Sequence, residues 1–251
     1  MSAYSALTAA GYRAQVRDKT TVFFTFAFPL IFLVVFGLVF RGRAVEESGF
    51  SYLSYTASGV LSWGVANAAV FGIGFTLMQW RADDILRMIR MSPAPLSSVI
   101  GSRYVLALGV GFVQSVLFVG VAMLPGFGLV PASRWPLLIP VMLLGITTFL
   151  LLGVIIGSIA DTPESVAGIA NFLMLPMAFL SGSFFPLDSM PEWLQRISLI
   201  LPLRYLNDAV SAALTGRGDL SDIGVGCAGL VAFAVVFGAV AARTFRWTKT
   251  S

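Results

Sequence analysis

The sequence predicts an all-α, polytopic membrane protein of six transmembrane helices, and three observations carry that prediction. Six charge-free stretches, 20–40, 48–80, 104–133, 135–160, 165–187 and 223–242, are divided by short charged ones. Each is long enough to cross about 30 Å of hydrocarbon as a helix. Only 11% of the 251 residues are charged and 57% are hydrophobic, with a mean hydropathy of +0.89. A soluble domain carries about 25% charged residues, because each helix keeps one face in water. The short connections leave no room for a soluble domain of any size.

The same composition excludes several function classes. Histidine is absent and Cys227 is the single cysteine. His-based triads, imidazole relays, cysteine zinc sites and intrachain disulfides therefore all fall away. A net charge of +4 suits cytoplasmic arginines on a membrane protein and does not call for nucleic acid. The first apolar run exceeds a signal-peptide core and ends at Phe40-Arg41-Gly42-Arg43 without a small-residue cleavage site, so a retained first span is expected. With the N-terminus inside, ten of the sixteen basic residues fall on inner segments and six on outer ones. Lysine and arginine set orientation, so N-in, C-in is expected.

Taken in order, residues 2–19 suggest an amphipathic N-terminal helix with Tyr4, Leu7, Gly11 and Ala14 on one side. Spans follow at about 21–40, 57–79, 104–124, 137–159, 165–186 and 223–242. Span 1 holds Pro29, which a membrane helix tolerates when a neighbour takes up the freed carbonyl. Tyr52 and Tyr55 precede span 2 as an interfacial belt. Span 3 is expected to end near Pro125-Gly126 and span 4 to begin near Pro136. Span 5 is expected to break at Pro176 and again at Ser181-Gly182. Residues 187–214 are too charged to span and too apolar for a free loop, which predicts one or two short re-entrant helices broken at Pro202.

Two motifs stand out. The connection between spans 2 and 3 predicts a short amphipathic helix at about 82–91, comprising Asp83, Asp84, Ile85, Leu86, Arg87, Met88, Ile89 and Arg90 and stopped by Pro93 and Pro95. Ile85, Met88 and Ile89 recur at helical spacing opposite Arg87 and Arg90, and both acids sit at the favourable end of the dipole. Such a helix either lies on the membrane surface or docks a cytosolic partner. The second motif runs from Asn171 through Pro176, Ser181, Gly182, Phe184, Phe185, Pro186, Pro191 and Trp193 to Pro202 and Tyr205. Either a kinked span with an interfacial loop or a weakened helix turning into the re-entrant segment fits its prolines and glycine.

These segments resemble the membrane subunit of ABC-2-type transporters, in particular the daunorubicin-resistance-like permeases. Leu175 to Leu194 match that family's Leu-Pro-x-x-Phe-Leu-Ser-Gly-x-Phe-Phe-Pro-x-x-x-x-Pro-x-Trp-Leu stretch almost throughout, and Pro202 to Tyr205 its Pro-Leu-x-Tyr. Met91-Ser92-Pro93 and Gly101-Ser102-Arg103 match its inner loop more loosely; Asp84 departs from it, since the family often has Gly there. The resemblance implies a bacterial plasma (inner) membrane exporter in which two permeases, identical or related, pair. A cytosolic ABC ATPase, two copies per complex, would bind ATP and Mg. It further implies that 82–91 is the ATPase-coupling helix, that 187–214 forms the outer gate, and that cargo passes a cavity lined by spans 2 and 5.

Candidate cavity residues are Asn67, Phe71 and Phe75 on span 2, and Asn171, Phe172, Met174, Leu175 and Phe179 on span 5. An amide in an apolar span fits a wet cavity, and equally fits interhelical hydrogen bonding worth about 0.6–2 kcal/mol. The chain holds no Gly-x-x-x-x-Gly-Lys-Ser/Thr sequence, so ATP must be bound by another chain. Charge-free spans disfavour ion coupling and suit hydrophobic or amphiphilic cargo. The alternatives are a secondary transporter or channel without an ATPase, and an exporter of polysaccharide or lipid-linked glycan. A lipid-modifying intramembrane enzyme lacks a catalytic cluster around either acid pair, Glu46/Glu47 or Asp83/Asp84.

Overall fold

A computed structural model describes residues 8–9, 11–13, 16–39, 52–91, 96–125, 127, 129–187 and 190–245. The described residues are helical, with no strand among them. Among the described residues, six helices are long and apolar enough to cross a membrane. Most of the N-terminal segment, the residues around Arg41 and Glu46, and Pro93 and Pro95 lie outside the described residues.

Helix α1 (Lys19–Val39) is capped by Asp18, whose carboxylate accepts the Thr20 and Thr21 amides. The Thr21 hydroxyl, 2.5 Å away, and these amides hold that carboxyl below the usual carboxylate range. A wide turn at Phe23–Ala27 precedes Pro29. Pro29 brings no N–H for the Thr25 carbonyl four residues back; the buried Gln114 amide donates to that carbonyl instead, at 3.1 Å. The neighbour that such a proline needs is thus a side chain on another span.

Helix α2 (Tyr52–Ala82) and α5 (Leu138–Ile159, after a 3₁₀ turn at Trp135–Leu137) are buried over most of their length and form the centre. Their contact is close because it is built on glycine. A methyl at Gly157 would lie 2.7 Å from the Gly74 carbonyl oxygen, and one at Gly153 would lie 2.5 Å from that of Val70. Around this pair stand α1, α4 (Leu96–Ala122), α6 (Pro163–Leu180) and α9 (Leu220–Thr244), each with less than a third of its apolar window buried. A soluble bundle would not leave so much apolar surface open.

Helix α2 begins at Tyr52, not near 57, and so brings Tyr55 inside the protein. Helix α4 begins at Leu96 and carries Arg103 within its first turns; the guanidinium lies 4.3 Å from the Trp80 ring, which shelters it. Helix α6 starts in a capping box between Thr162 and Ser165 and runs through Pro176 without a break. It ends at Leu180, where Gly182 at φ +74° turns the chain as only glycine does cheaply.

The segment between α6 and α9 folds as two short helices, α7 (Glu192–Ser198) and α8 (Pro202–Leu214), which meet at 92°. Pro202 opens α8, where its missing N–H is not needed. Arg204 holds the bend by donating to the Gln195 carbonyl at 3.1 Å and to the Ser198 hydroxyl, while Tyr205 donates to the Leu199 carbonyl at 2.9 Å. Helix α8 packs into the centre, with Leu206 against Gly145 of α5, and its first turns meet Gly226 and Gly229 of α9.

Candidate coupling and gating sites

At the end of the bundle that holds the last turn of α2, a turn at Asp83–Asp84 leads into α3 (Ile85–Met91). Asp84 stands at φ +56°, the left-handed region that glycine favours and Asp tolerates. The departure from the family pattern at this position therefore leaves the sharp turn in place. Leu86 is buried beneath α3, and Ile89 packs on the central core. Arg87, Met88 and Met91 point outward, the two methionines at 57% and 74% exposure. The expected ridge of Ile85, Met88 and Ile89 thus divides: Ile89 anchors the helix, Ile85 is half-buried and Met88 projects. The Arg90 side chain lies outside the described residues.

The same end carries a buried cation. The Arg81 guanidinium donates to the carbonyls of Ser158 and Ala160 and pairs with Asp161 at 3.0 Å. Ser158 lies in the last turn of α5, and Ala160 and Asp161 form the turn that leads into α6.

At the opposite end, residues 181–186 fold back against α2. The Tyr55 hydroxyl contacts the Gly182 carbonyl and donates to that of Phe185 at 2.7 Å; Tyr52 donates to the Phe184 carbonyl at 3.0 Å. From α8, the Asn207 amide donates to the carbonyls of Ser181 (3.2 Å) and Gly182 (3.0 Å). Phe184 is buried among Phe32, Phe36, Trp63 and Phe179, at ring distances of 5.4–6.0 Å. Phe185 is exposed, Pro186 buried, and Pro191 and Trp193 open to the surface at the start of α7. Beside this loop lies a polar cavity of about 270 Å³, lined by Tyr55, Arg204, Asn207, Asp208, Arg217 and Asp222 among others.

The cavity candidates divide between two surfaces. On α2, Phe71 stacks on Phe75 at 5.8 Å, and Asn67 donates to its own helix at the Trp63 carbonyl, 3.0 Å away. On α6, Asn171, Phe172, Leu175 and Phe179 share one exposed face, whereas Met174 is buried on the other. Phe172 and Pro176 also line an apolar cleft of about 410 Å³ shared with Ile200, Pro202, Phe233 and Phe237. Gly59, Arg81, Asp161 and Asn207 were not among the residues the sequence singled out, and Tyr55 was read only as part of an interfacial belt.

The buried donors predict a measurable effect. Tyr55→Phe leaves the Phe185 carbonyl without its donor and the Gly182 carbonyl with Asn207 alone, at a cost of about 1–3 kcal/mol. Thermal unfolding in detergent is expected to shift down by several degrees, about 2–4 °C per kcal/mol at this size. An unchanged midpoint would mean that the 181–186 loop is not held through this hydroxyl.

The sequence profile described as ABC-2 type transporter matches residues 2–215. The chain is similar to the inner membrane transport permease YadH of Escherichia coli strain K12, at 24% identity over 213 residues, covering 82% of this chain and 80% of that one. It is 29% identical over 228 residues to the daunorubicin resistance ABC transporter permease protein DrrB1 of Streptomyces coeruleorubidus, covering 87% and 77%. A putative transport permease of Bacillus subtilis strain 168, YvfS, is 26% identical over 194 residues, covering 74% and 75%. With six apolar helices, a short helix projecting from one end and a bent helix pair at the other, this chain is a multi-pass membrane protein and belongs to the ABC-2 type transporter family.

Proposed function

We propose that the chain is the membrane subunit of an ATP-driven exporter in a bacterial plasma (inner) membrane, with both termini inside. It would pair with a second permease, identical or related. Each permease would seat one cytosolic ATPase on α3, and that subunit would bind ATP and Mg. The observation that carries this reading is α3 itself. A seven-residue helix, rooted by buried Leu86, holds Arg87, Met88 and Met91 outward at one end of the bundle. Methionine and arginine are residues that interfaces favour. The described N-terminal residues support the orientation, since Gly11 lies against Arg103 and Leu106 at this same end, where Thr244 also closes α9.

Cargo is proposed to be a hydrophobic or amphiphilic small molecule, in keeping with the name of the daunorubicin resistance relative. The open aromatic face of α6 and the apolar cleft beside it offer contacts of that character and no charge. The 181–186 loop and the bent pair α7–α8 would form the outer gate.

The test is purification of the chain from its native membrane in mild detergent, with mass spectrometry of what accompanies it. A stoichiometric protein carrying a Walker A sequence is expected. A double substitution, Met88→Glu with Met91→Glu, is expected to reduce its recovery at least tenfold, equivalent to about 1.4 kcal/mol of binding. Recovery of the chain alone, even after crosslinking at α3, would sink the reading in favour of an ATPase-independent transporter.

A further inference from the structure

We propose that Arg81 is a positioning residue that transmits the movement of α3 to α6, so that the coupling helix and the cargo-facing helix are displaced together. The inference rests on the function proposed above and adds to it the path by which force crosses the membrane.

Arg81 occupies the last turn of α2, immediately before the Asp84 turn and α3, and is 3% exposed. Its guanidinium reaches the Ser158 carbonyl in the last turn of α5, the Ala160 carbonyl that follows, and the Asp161 carboxylate. The next residue, Thr162, is the cap of α6. One planar fork therefore fastens the root of α3 to the root of α6. Arginine suits this work because its rigid fork spreads donors over separate nitrogens that reach acceptors on either side, whereas lysine offers its three donors from one nitrogen on a flexible stem.

Two further features turn this contact into a lever. First, α2 does not slide freely on α5, because Gly74 meets Gly157 and Val70 meets Gly153 backbone to backbone. Second, α6 is fastened to α2 again at its far end, where Tyr55 holds the Gly182 and Phe185 carbonyls. Between these two fastenings the face of α6 that bears Phe172, Leu175 and Phe179 remains open. A helix pinned to its neighbour at both ends and open in the middle moves as a unit when that neighbour tilts. Displacement of α3 thus arrives at the cargo face and at the 181–186 loop in one motion.

The experiment uses the intact permease–ATPase complex in lipid nanodiscs, on a Cys227→Ser background. Spin labels are placed at Ala82 and Glu164, which are exposed at the root of α3 and on the first turn of α6. In the otherwise unaltered chain the distance between them is expected to stay the same with and without ATP–vanadate. In Arg81→Met it is expected to change with nucleotide, and transport per ATP is expected to fall at least tenfold while ATPase recovery and hydrolysis stay within twofold. Arg81→Lys is expected to recover no more than a third of the lost coupling. Asp161→Asn, whose side chain is half-exposed, keeps the carbonyl bonds and is expected to lose coupling about threefold. Should Arg81→Met fail to fold, Arg81→Lys and Asp161→Asn decide by the same readings. Coupling within twofold of normal in the folded variants, or an 82–164 distance indifferent to nucleotide in each of them, overturns the proposal. An unaltered chain that brings down no ATPase overturns the underlying function instead.

Discussion

Gly59→Ala is expected to abolish transport, and Gly72→Ala, thirteen residues along the same helix, is expected to leave it intact. A methyl at Gly59 would lie 2.6 Å from the Ser183 carbonyl carbon and 2.7 Å from its Cα, closer than real side-chain carbons approach. These are backbone atoms of a loop held on three sides, so no rotamer change relieves the clash. Either α2 retreats, and Tyr52 and Tyr55 lose the Phe184, Gly182 and Phe185 carbonyls, or the loop retreats and Phe184 leaves its aromatic surroundings. Overpacking costs about 1–3 kcal/mol, and each buried partner left unpaired costs about as much again. Together these are a large fraction of the roughly 5–15 kcal/mol that holds a domain folded. At Gly72 nothing lies within 4 Å, so alanine there gains about 0.5–1 kcal/mol of helix propensity. Export by cells expressing each variant and thermal unfolding of the purified chains check the pair. Equal behaviour of the two variants would show that the 181–186 loop does not depend on its approach to α2, and the outer-gate assignment would go with it.

The spans were legible in the sequence because hydrocarbon imposes a length and forbids charge, and both rules act on consecutive residues. Helix ends were less legible, for reasons that particular residues make plain. Arg103 marks the edge of a charge-free stretch, yet it lies inside α4 because the Trp80 ring shelters it. Tyr55 fits an interfacial belt by composition, yet its hydroxyl serves carbonyls about 130 residues away. No local pattern reports a partner so distant. Gly182 was legible because it sits where a helix gives way to prolines; Gly59 was hidden among small residues whose spacing says nothing of what crosses them. Asn171, Phe172, Leu175 and Phe179 share the exposed face of α6, but Met174, a candidate with them in the sequence, is buried on the other, because packing and not spacing decides it. Pro176 also misled. It removes one hydrogen bond, but the helix continues to Leu180, and the turn waits for Gly182.

Asp84→Gly is expected to preserve coupling and Asp84→Val to destroy it, although valine is the closer in size to aspartate. Asp84 makes the turn between α2 and α3 at φ +56°; its amide lies 3.4 Å from the Arg81 carbonyl, and its own carbonyl receives the Met88 amide at 3.0 Å. The left-handed conformation costs an ordinary residue about 1–2 kcal/mol, little for aspartate and nothing for glycine. A β-branched side chain fits it worst, at about 1–3 kcal/mol. The chain can escape that cost by turning Asp83 and residue 84 into ordinary helix, so that α2 runs straight on into α3. Leu86 would then leave its buried seat, and Met88 and Met91 would point elsewhere. The spans themselves would be untouched, so the variant should insert and fold while transport per ATP falls about tenfold or more. Transport and hydrolysis measured together on the reconstituted complex separate the outcomes. If valine behaves like glycine, the left-handed turn does not set the angle of α3. If glycine fails as badly as valine, the Asp84 carboxylate itself meets the ATPase, and the contact is chemical where the geometry argues that it is conformational.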